Sequence, residues 1–233
     1  MPIILAIETS SETASCALLS GDALYARDCN GVRTHSQSIL PMVQELLGEA
    51  GLTLSQCEAI AFGAGPGSFT GVRTACGIAQ GLAYGAGLPV IGLVTLEAMA
   101  LACHQRSGAT DILAILDARM GEVYWAQYHY AGSLTVVVAP ALCAPAAVAP
   151  LPVAGLLTAC GNGLSAYPEA FAGRAFGAGA HADIMPHARE LAQLALGAGG
   201  GVPAAEAQPL YLRNKIAYTS AERQVINAAK AAA

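Results

Sequence analysis

A glycine-rich loop between a strand pattern and a helix pattern constrains the fold of this chain more than any other segment. The loop lies within residues 59–73, which read AIAFGAGPGSFTGVR. The four apolar residues at its start predict a short buried strand, and Ser68 or Thr70 can cap the helix that follows. Because the glycines of the loop, Gly65 and Gly67 among them, allow φ > 0, the turn has the form of a nucleotide cradle.

The chemistry of the two common phosphate-binding loops is absent from this segment. A P-loop needs a lysine directly after its last glycine, and no lysine follows any glycine between residues 59 and 73. The dinucleotide-binding pattern Gly-x-Gly-x-x-Gly also fails, since Ser68 and Thr70 stand where its third glycine is needed. The sequence therefore excludes both motifs while keeping the strand, glycine loop and helix.

The composition predicts a globular protein with a large core. Of the 233 residues, 55% are hydrophobic and 12% are charged, which excludes a disordered chain. The net charge of −5 with 11 basic residues predicts no basic surface that binds nucleic acid unaided, so we expect RNA contact only through a partner. The seven cysteines form no Cys-x-x-Cys pair and no signal peptide precedes Ile3, so we expect reduced thiols in the cytoplasm.

Two long uncharged stretches raise the question of a membrane span. Gly85, Gly87 and Pro89 divide the first, residues 74–96, into a helix and a strand. Four prolines break the second, residues 123–168. Neither stretch offers a continuous apolar helix of the required length, so we expect no membrane contact.

The first half of the chain predicts a mixed sheet with covering helices. Apolar strand patterns occupy residues 3–8, 13–20, 23–28, 59–62 and 90–94. Helical spacing occupies residues 39–50, followed by Gly51, and about 70–86. Pro41 is harmless if Ser38 caps the first helix, whereas a start at Thr34 or Ser36 implies a kink. The order β-β-β-α-β-α-β is typical of an α/β fold of the actin-like, ribonuclease-H-like type.

The second half predicts a separate, smaller sheet. Residues 112–116 and 122–130 form a predicted hairpin whose charged turn, Asp117 to Glu122, is interpreted as a solvated tip. Residues 139–152 predict loops and short edges, 153–160 a strand and 187–196 a helix. We therefore predict two subdomains, residues 1–104 and 105–233, with the last segment a candidate to pack back on the first. The tail after Glu222 is expected to fray.

The helix after the glycine loop carries two ridges of small residues. One ridge holds Gly77, Gly81 and Gly85, and the other holds residues 71, 75, 79 and 83. Small residues four apart allow another helix to approach closely, either within the same domain or in a partner, and the sequence leaves both alternatives open. The candidate partner interface on the two helices consists of His35, Leu40, Val43, Leu47, Gly71, Ala75, Gly77, Ala79, Gly81 and Leu82.

Glu8, Thr9 and Ser10 end the first strand and, with Gly65 and Gly67, are candidates for a vestigial nucleotide site. A carboxylate at this place holds hydrated magnesium in actin-like ATPases, but here the turn contains no glycine. The alternative is a strand-end carboxylate that accepts hydrogen bonds from turn amides. The five histidines, His35 included, form neither His-x-x-x-His nor His-Glu-x-x-His, so we expect no metal site.

Five segments together resemble the TsaB family, also called YeaZ. They are ILAIETS at residues 4–10, THSQ at 34–37 with Leu40-Pro41, GPGSFTGVR at 65–73, LDARMGEVY at 116–124 and PLYLR at 209–213. The third is a highly specific signature, and the likeness covers nearly all of the first 125 residues.

This resemblance implies a bacterial subunit that helps to make N6-threonylcarbamoyladenosine beside the tRNA anticodon. It implies an actin-like fold, pairing of two exposed helices with the matching helices of the paralogous catalytic subunit TsaD, homodimers through a similar face, and TsaE as a further partner. It implies no cofactor held by this chain alone, with an adenine nucleotide at the heterodimer junction as the open alternative.

TsaD-like proteins carry a His-x-x-x-His metal pair after the strand equivalent to residues 90–94. This chain has Thr95 and Met99 there, a poor pair of ligands for zinc or a hard metal. The resemblance therefore predicts a pseudo-enzyme subunit. The alternatives are an active ATPase or phosphotransferase that uses Glu8 and the glycine loop, and a metallopeptidase, which the missing histidine pair disfavours.

Overall fold

The first sheet starts as an antiparallel meander of three strands. In the computed structural model, which describes residues 2–30, 35–177 and 179–213, these strands are β1 (Ile3–Glu8), β2 (Thr13–Ser20) and β3 (Ala23–Asn30). Every residue of β1 after Ile3 is buried, because helices cover both faces of this sheet. The three predicted strands are confirmed, and β3 runs two residues beyond the predicted end.

Two parallel strands complete the first sheet. Strand β4 (Ala59–Gly65) pairs with β1, and β5 (Val90–Val94) pairs with β4. The strand order is β3-β2-β1-β4-β5. Helix α1 (His35–Ala50) precedes β4, and α2 (Phe69–Ala86) precedes β5. The predicted order of three strands, helix, strand, helix and strand is confirmed.

Helices α1 and α2 cover one face of the first sheet. Leu5 and Ile7 of β1 share a core with Ile39 of α1 and Ala79 of α2. Helix α1 begins before Ser38, so Ser38 is not its cap and Pro41 lies inside the helix. The alternative start at Thr34 lies outside the described residues.

Helices α3 (Thr95–Ser107) and α6 (Ala188–Ala195) cover the opposite face. Ile4 and Ala6 of β1 pack there with Ala98 of α3 and Leu191 of α6. The predicted helix at residues 187–196 is thereby confirmed. Helix α3 was not predicted, and it follows β5 without an intervening turn.

The second sheet has the strand order β8-β7-β6-β9. Its strands are β6 (Asp111–Arg119), β7 (Glu122–Tyr130), β8 (Leu134–Cys143) and β9 (Leu157–Cys160), followed by the short helices α4 (Gly163–Ala166) and α5 (Pro168–Phe171). The predicted hairpin of β6 and β7 is confirmed. Residues 139–152 were predicted as loops and short edges, and residues 139–143 form the end of the edge strand β8, whereas β9 starts later than predicted. Pro140 is compatible with β8 because this is an edge strand.

The chain returns to the first sheet near its described end. The backbone N–H and C=O of Val202 each bond Val90 at 2.9 Å. Ala204 and Ala207 are buried in the core that contains α2, and Gln80 donates to the Ala207 carbonyl at 3.0 Å. Residues of the second half thus complete the core of the first sheet. The tail after Glu222 lies outside the described residues.

The described helices include none that combines the length and the apolar character needed to cross a bilayer.

Candidate functional site

A cleft of about 420 Å³ separates the two sheets. Three turns and one C-terminal segment form its walls. They are Ser10–Glu12 between β1 and β2, Ser68 and Phe69 at the start of α2, Asp117–Met120 at the end of β6 and in the turn to β7, and Leu210–Arg213. The turn from Asp117 to Glu122 therefore faces the cleft, which its interpretation as a solvated hairpin tip did not foresee.

The glycine loop packs directly against the β1–β2 turn. The Ser68 amide donates to the Ser10 carbonyl at 2.7 Å. A Cβ atom on Gly67 would lie 2.7 Å from that same oxygen, and one on Gly71 would collide with the carbonyl of Thr9. The Thr9 hydroxyl also donates to the Gly71 carbonyl at 2.7 Å. These glycines therefore allow two segments of the chain to touch, and the turn occupies the space above the loop.

Gly65 serves a similar contact on the other side of the loop. Its φ of +116° suits glycine, and a Cβ atom there would lie 2.9 Å from the carbonyl oxygen of Leu210. The residue is thus required by backbone geometry and by the close approach of a second segment.

Glu8 lies beneath the β1–β2 turn and is fully buried. Its Oε1 accepts a hydrogen bond from the Ser10 amide, whereas Oε2 has no hydrogen-bond partner among the described residues. Burial raises the pKa of this carboxyl group to about 7, although hydrogen bonds from Ser10 and Thr9 act in the opposite direction. The bond to Ser10 is the one expected of a strand-end carboxylate.

The charges that face the cleft are already paired. Arg119 donates to Glu12 across the cleft at 2.8 Å, and Arg213 donates to Glu122 at 2.6 Å. Asp117 accepts from the Arg119 amide at 2.8 Å. Each guanidinium group thus has a carboxylate beside it, and an incoming polyphosphate would have to displace one.

Thr95 and Met99 are completely buried at the start of α3. The Thr95 hydroxyl donates to the carbonyl of Pro66, and the Met99 methyl group packs tightly against Gly161. Both side chains therefore serve internal packing. Across residues 2–30, 35–177 and 179–213, His, Cys, Asp and Glu side chains form no group of three or more that could hold a metal ion.

The two small-residue ridges of α2 point in opposite directions. Gly71, Ala75 and Ala79 are buried against the first sheet. Gly77, Gly81 and Gly85 are exposed, and a Cβ atom on any of them would meet nothing within 4 Å. Together with the other exposed residues of α2 they form a surface that we call the α2 stripe: Thr70, Arg73, Gly77, Gly81, Tyr84 and Gly85.

Half of the candidate interface residues must be corrected. Gly71, Ala75 and Ala79 pack on the sheet, Val43 is buried with them, and these side chains cannot reach a partner. His35 is also buried, and its Nε2 lies 3.1 Å from the Glu12 carbonyl. The exposed or partly exposed candidates that remain are Leu40, Leu47, Gly77, Gly81 and Leu82.

Three side chains that meet at the start of α2 were not among the candidate site residues: Phe69, Arg73 and Tyr211. The Arg73 guanidinium carbon lies 3.4 Å from the Phe69 ring centroid, and Arg73 Nε donates to the Tyr211 hydroxyl at 2.7 Å. Asn162 accepts from the Asp117 amide at 2.9 Å. These contacts join residues that are distant in sequence, and only the family motifs around Arg73 and Tyr211 pointed toward them.

Comparisons with known proteins agree on the family. Residues 25–230 match the TsaD family model, described as tRNA N6-adenosine threonylcarbamoyltransferase. The tRNA threonylcarbamoyladenosine biosynthesis protein TsaB of Escherichia coli is 39% identical over 224 residues, which cover 92% of this chain and 96% of that protein. The chain belongs to the TsaB family. The TsaB protein of Haemophilus influenzae is 51% identical over 125 residues, covering 53% of this chain and 52% of that protein.

Solved structures of TsaB-family proteins share the fold. YeaZ from Pseudomonas aeruginosa superposes with a TM-score of 0.83 at 39% identity, covering 91% of this chain and all of that one. A second structure, of a protein from the same organism with similarity to peptidase YEAZ, gives a TM-score of 0.85 at 40% identity, with the same coverage. The TsaB-family prediction and the actin-like fold class, with two mixed sheets flanked by helices, are confirmed.

Proposed function

We propose that this chain is a non-catalytic subunit in the making of N6-threonylcarbamoyladenosine in tRNA. It would pair with TsaD, the subunit that transfers the threonylcarbamoyl group to the adenosine beside the anticodon, and TsaE would be a further partner. The TsaB relatives, named for this biosynthesis, support the pathway. The observation that carries the non-catalytic role is the burial of Thr95 and Met99, where the catalytic paralogue is expected to hold a metal.

The α2 stripe is the proposed surface for TsaD. Gly77 and Gly81 leave the backbone of α2 open to solvent, so a partner helix can approach closely. Tyr84 is 83% exposed at the end of the stripe and offers a large apolar side chain for burial. Leu40 of α1, 46% exposed, adds apolar surface on the neighbouring helix.

The same surface supports a homodimer when the chain is alone. Two antiparallel α2 stripes that cross between Gly77 and Gly81 would place Arg73 of one copy close to Tyr84 of the other, since these positions are nearly equidistant from the crossing point. A guanidinium group over an aromatic ring is a favourable pair. TsaD would then displace the second copy, because one stripe cannot serve both.

Substitution of Gly81 by arginine tests this proposal. A Cβ atom at this exposed position would meet nothing within 4 Å, so the isolated protein should remain folded, while the arginine side chain would block a close approach of another helix. We expect Gly81→Arg to abolish co-purification with TsaD and to reduce tRNA modification by the mixed subunits. Gly155→Arg is the matched control, because Gly155 is also exposed with free space around it but lies outside α2. Complex formation by Gly81→Arg at wild-type strength would refute the proposed surface.

Nucleotide binding is proposed only for the complex. Because Arg119 and Arg213 are already paired with carboxylates, the cleft of the isolated chain gives little attraction to a polyphosphate. Isothermal titration of Mg-ATP into the chain, TsaD and their mixture should therefore show no binding to the chain alone. ATP turnover by the isolated chain, lost in Glu8→Ala, would instead support the ATPase alternative. A stoichiometric metal in the purified chain would revive the metallopeptidase alternative.

A further inference from the structure

Residues 209–213 contact both sides of the cleft, and we call this segment the strap. At its start, the Leu210 amide donates to the Ala64 carbonyl of β4 at 2.8 Å. Gly65 leaves the space that the Leu210 carbonyl needs. Two residues later, Leu212 packs against the apolar core of the second sheet. Five consecutive residues therefore connect the first sheet to the second.

Arg213 makes the firmer of two charge links at the cleft. Its guanidinium group donates to Glu122 Oε2 at 2.6 Å and to the Arg119 carbonyl at 3.3 Å. The side chain of Arg213 is only 14% exposed, whereas both partners of the Arg119–Glu12 pair are about 70% exposed. Exposed ion pairs are weakened by water and salt, and partly buried ones much less. The strap, more than the Arg119–Glu12 pair, should hold the β6–β7 turn in place.

Tyr211, in the middle of the strap, reaches the α2 stripe. Its hydroxyl accepts from Arg73, and its ring lies 5.9 Å from the Phe69 ring. Arg73 belongs to the α2 stripe and is exposed. One guanidinium group thus belongs both to the proposed partner surface and to the contacts that hold the strap.

We propose that the strap is a clasp that keeps the cleft closed and that a partner on the α2 stripe loosens it. A partner that engages the Arg73 guanidinium group competes with the Tyr211 hydroxyl for it. Tyr211 then loses its hydrogen bond, and the strap holds Glu122 and the β6–β7 turn less firmly. The clasp concerns the isolated chain, whereas its release by a partner rests on the function proposed above.

Hydrogen exchange of the isolated chain tests the clasp. In Arg213→Ala, and equally in Glu122→Ala, we expect the amides of the β6–β7 turn and of Leu210 to exchange roughly tenfold faster or more, with the core of β1 unchanged. The double variant should be no faster than Arg213→Ala alone, because Arg213→Ala already removes the contact with Glu122. A double variant with the two charges reversed, Glu122→Arg with Arg213→Glu, should restore slow hydrogen exchange.

The matched control is Arg106→Ala, which removes an arginine from an exposed pair with Asp183, away from the cleft. Circular dichroism and thermal melting should establish that each variant is folded. Unchanged exchange at the cleft in folded Arg213→Ala and Glu122→Ala would overturn the clasp. If hydrogen exchange is faster in the single variants and the reversed charge pair does not slow it again, the clasp is also overturned, because the ion pair would not be the cause of the slow exchange.

The release is tested by adding TsaD, the proposed partner. We expect strap amides to exchange faster in the complex than in the isolated chain. Tyr211→Phe, which keeps the ring but loses the bond to Arg73, should show fast strap exchange before TsaD is added and little further change. If a complex forms and strap exchange slows or stays the same, the release is wrong while the interface stands. If no complex forms, the proposed function fails and the release fails with it, whereas the clasp is judged on the isolated chain.

Discussion

Replacement of Glu8 by glutamine should make the protein less sensitive to pH. The carboxyl group of Glu8 is fully buried, and burial raises its pKa from 4.5 to about 7. Below pH 4.5 the folded and unfolded chains both hold this proton. Between pH 4.5 and 7 the unfolded chain releases it while the folded chain keeps it, so the free energy of unfolding falls as the pH rises. Above pH 7 the loss is complete, at roughly 3 kcal/mol.

Glutamine keeps the shape of the side chain and an oxygen that can accept from the Ser10 amide, but it carries no titrating proton. Glu8→Gln and the wild type should therefore have similar free energies of unfolding at pH 5. At pH 8.5 the variant should be the more stable, by up to about 3 kcal/mol. Urea titration followed by the fluorescence of Trp125, which is buried and the sole tryptophan, measures both values.

The difference between the variant and the wild type isolates Glu8 from other titrating groups. Burial also raises the pKa of Glu190 and lowers that of His187, so both proteins share a background dependence on pH. Glu58→Gln, at an exposed position, is the control and should follow the wild-type curve. Parallel curves for Glu8→Gln and the wild type from pH 5 to 8.5 would refute the reasoning, because they would mean that Glu8 is ionised in the folded chain at its ordinary pKa.

Three further predictions concern helices α2 and α3, and urea unfolding measures each of them. Gly71→Ala should destabilise the protein by about 1–3 kcal/mol, because the added methyl group would collide with the backbone of Thr9. Gly77→Ala should stabilise it by about 0.5–1 kcal/mol, because alanine favours the helix and its methyl group has free space. Equal effects at the two positions would contradict the assigned faces of α2. Ser68→Ala should cost about 1 kcal/mol, because the Ser68 hydroxyl caps α2 by accepting from the Gly71 amide. Met99→Ala should cost about 2–5 kcal/mol by opening a cavity against Gly161, and a smaller cost would mean that the site collapses.

The sequence predicted the elements whose patterns are local. The predicted bounds of strands β1, β2 and β5 agree with the structure at both ends, because these short apolar runs end at polar or glycine-containing turns. Helix α3 was not predicted, because it starts directly after β5 and no turn residues mark its beginning. Strand β8 was not predicted as a whole because Pro140 lies in its second half and further prolines follow it; Pro140 is acceptable because β8 is at the edge of the sheet.

The candidate site depended on contacts that no local pattern contains. Spacing along α2 correctly predicted two ridges of small residues, but both ridges repeat every four residues and the sequence does not say which one faces the sheet. The contact of Gly71 with Thr9 decides this, across 62 residues of chain. The pairing of Arg213 with Glu122 spans 91 residues, and no periodicity predicts it.

The fold of the chain alone does not offset the cost of the glycines in the α2 stripe, which supports the proposed partner surface. A glycine inside a helix costs about 1 kcal/mol relative to alanine, so Gly77, Gly81 and Gly85 together cost about 3 kcal/mol. Gly71 recovers its cost through the close packing of α2 on Thr9, which a larger residue would prevent. The three exposed glycines meet no atom of the described chain within 4 Å of where a Cβ would stand, so alanine would fit at each and stabilise the isolated helix. In a complex, a partner helix would pack closely against α2 because the glycines have no side chains to hold it away. Gly81→Ala should therefore stabilise the isolated chain and weaken its complex.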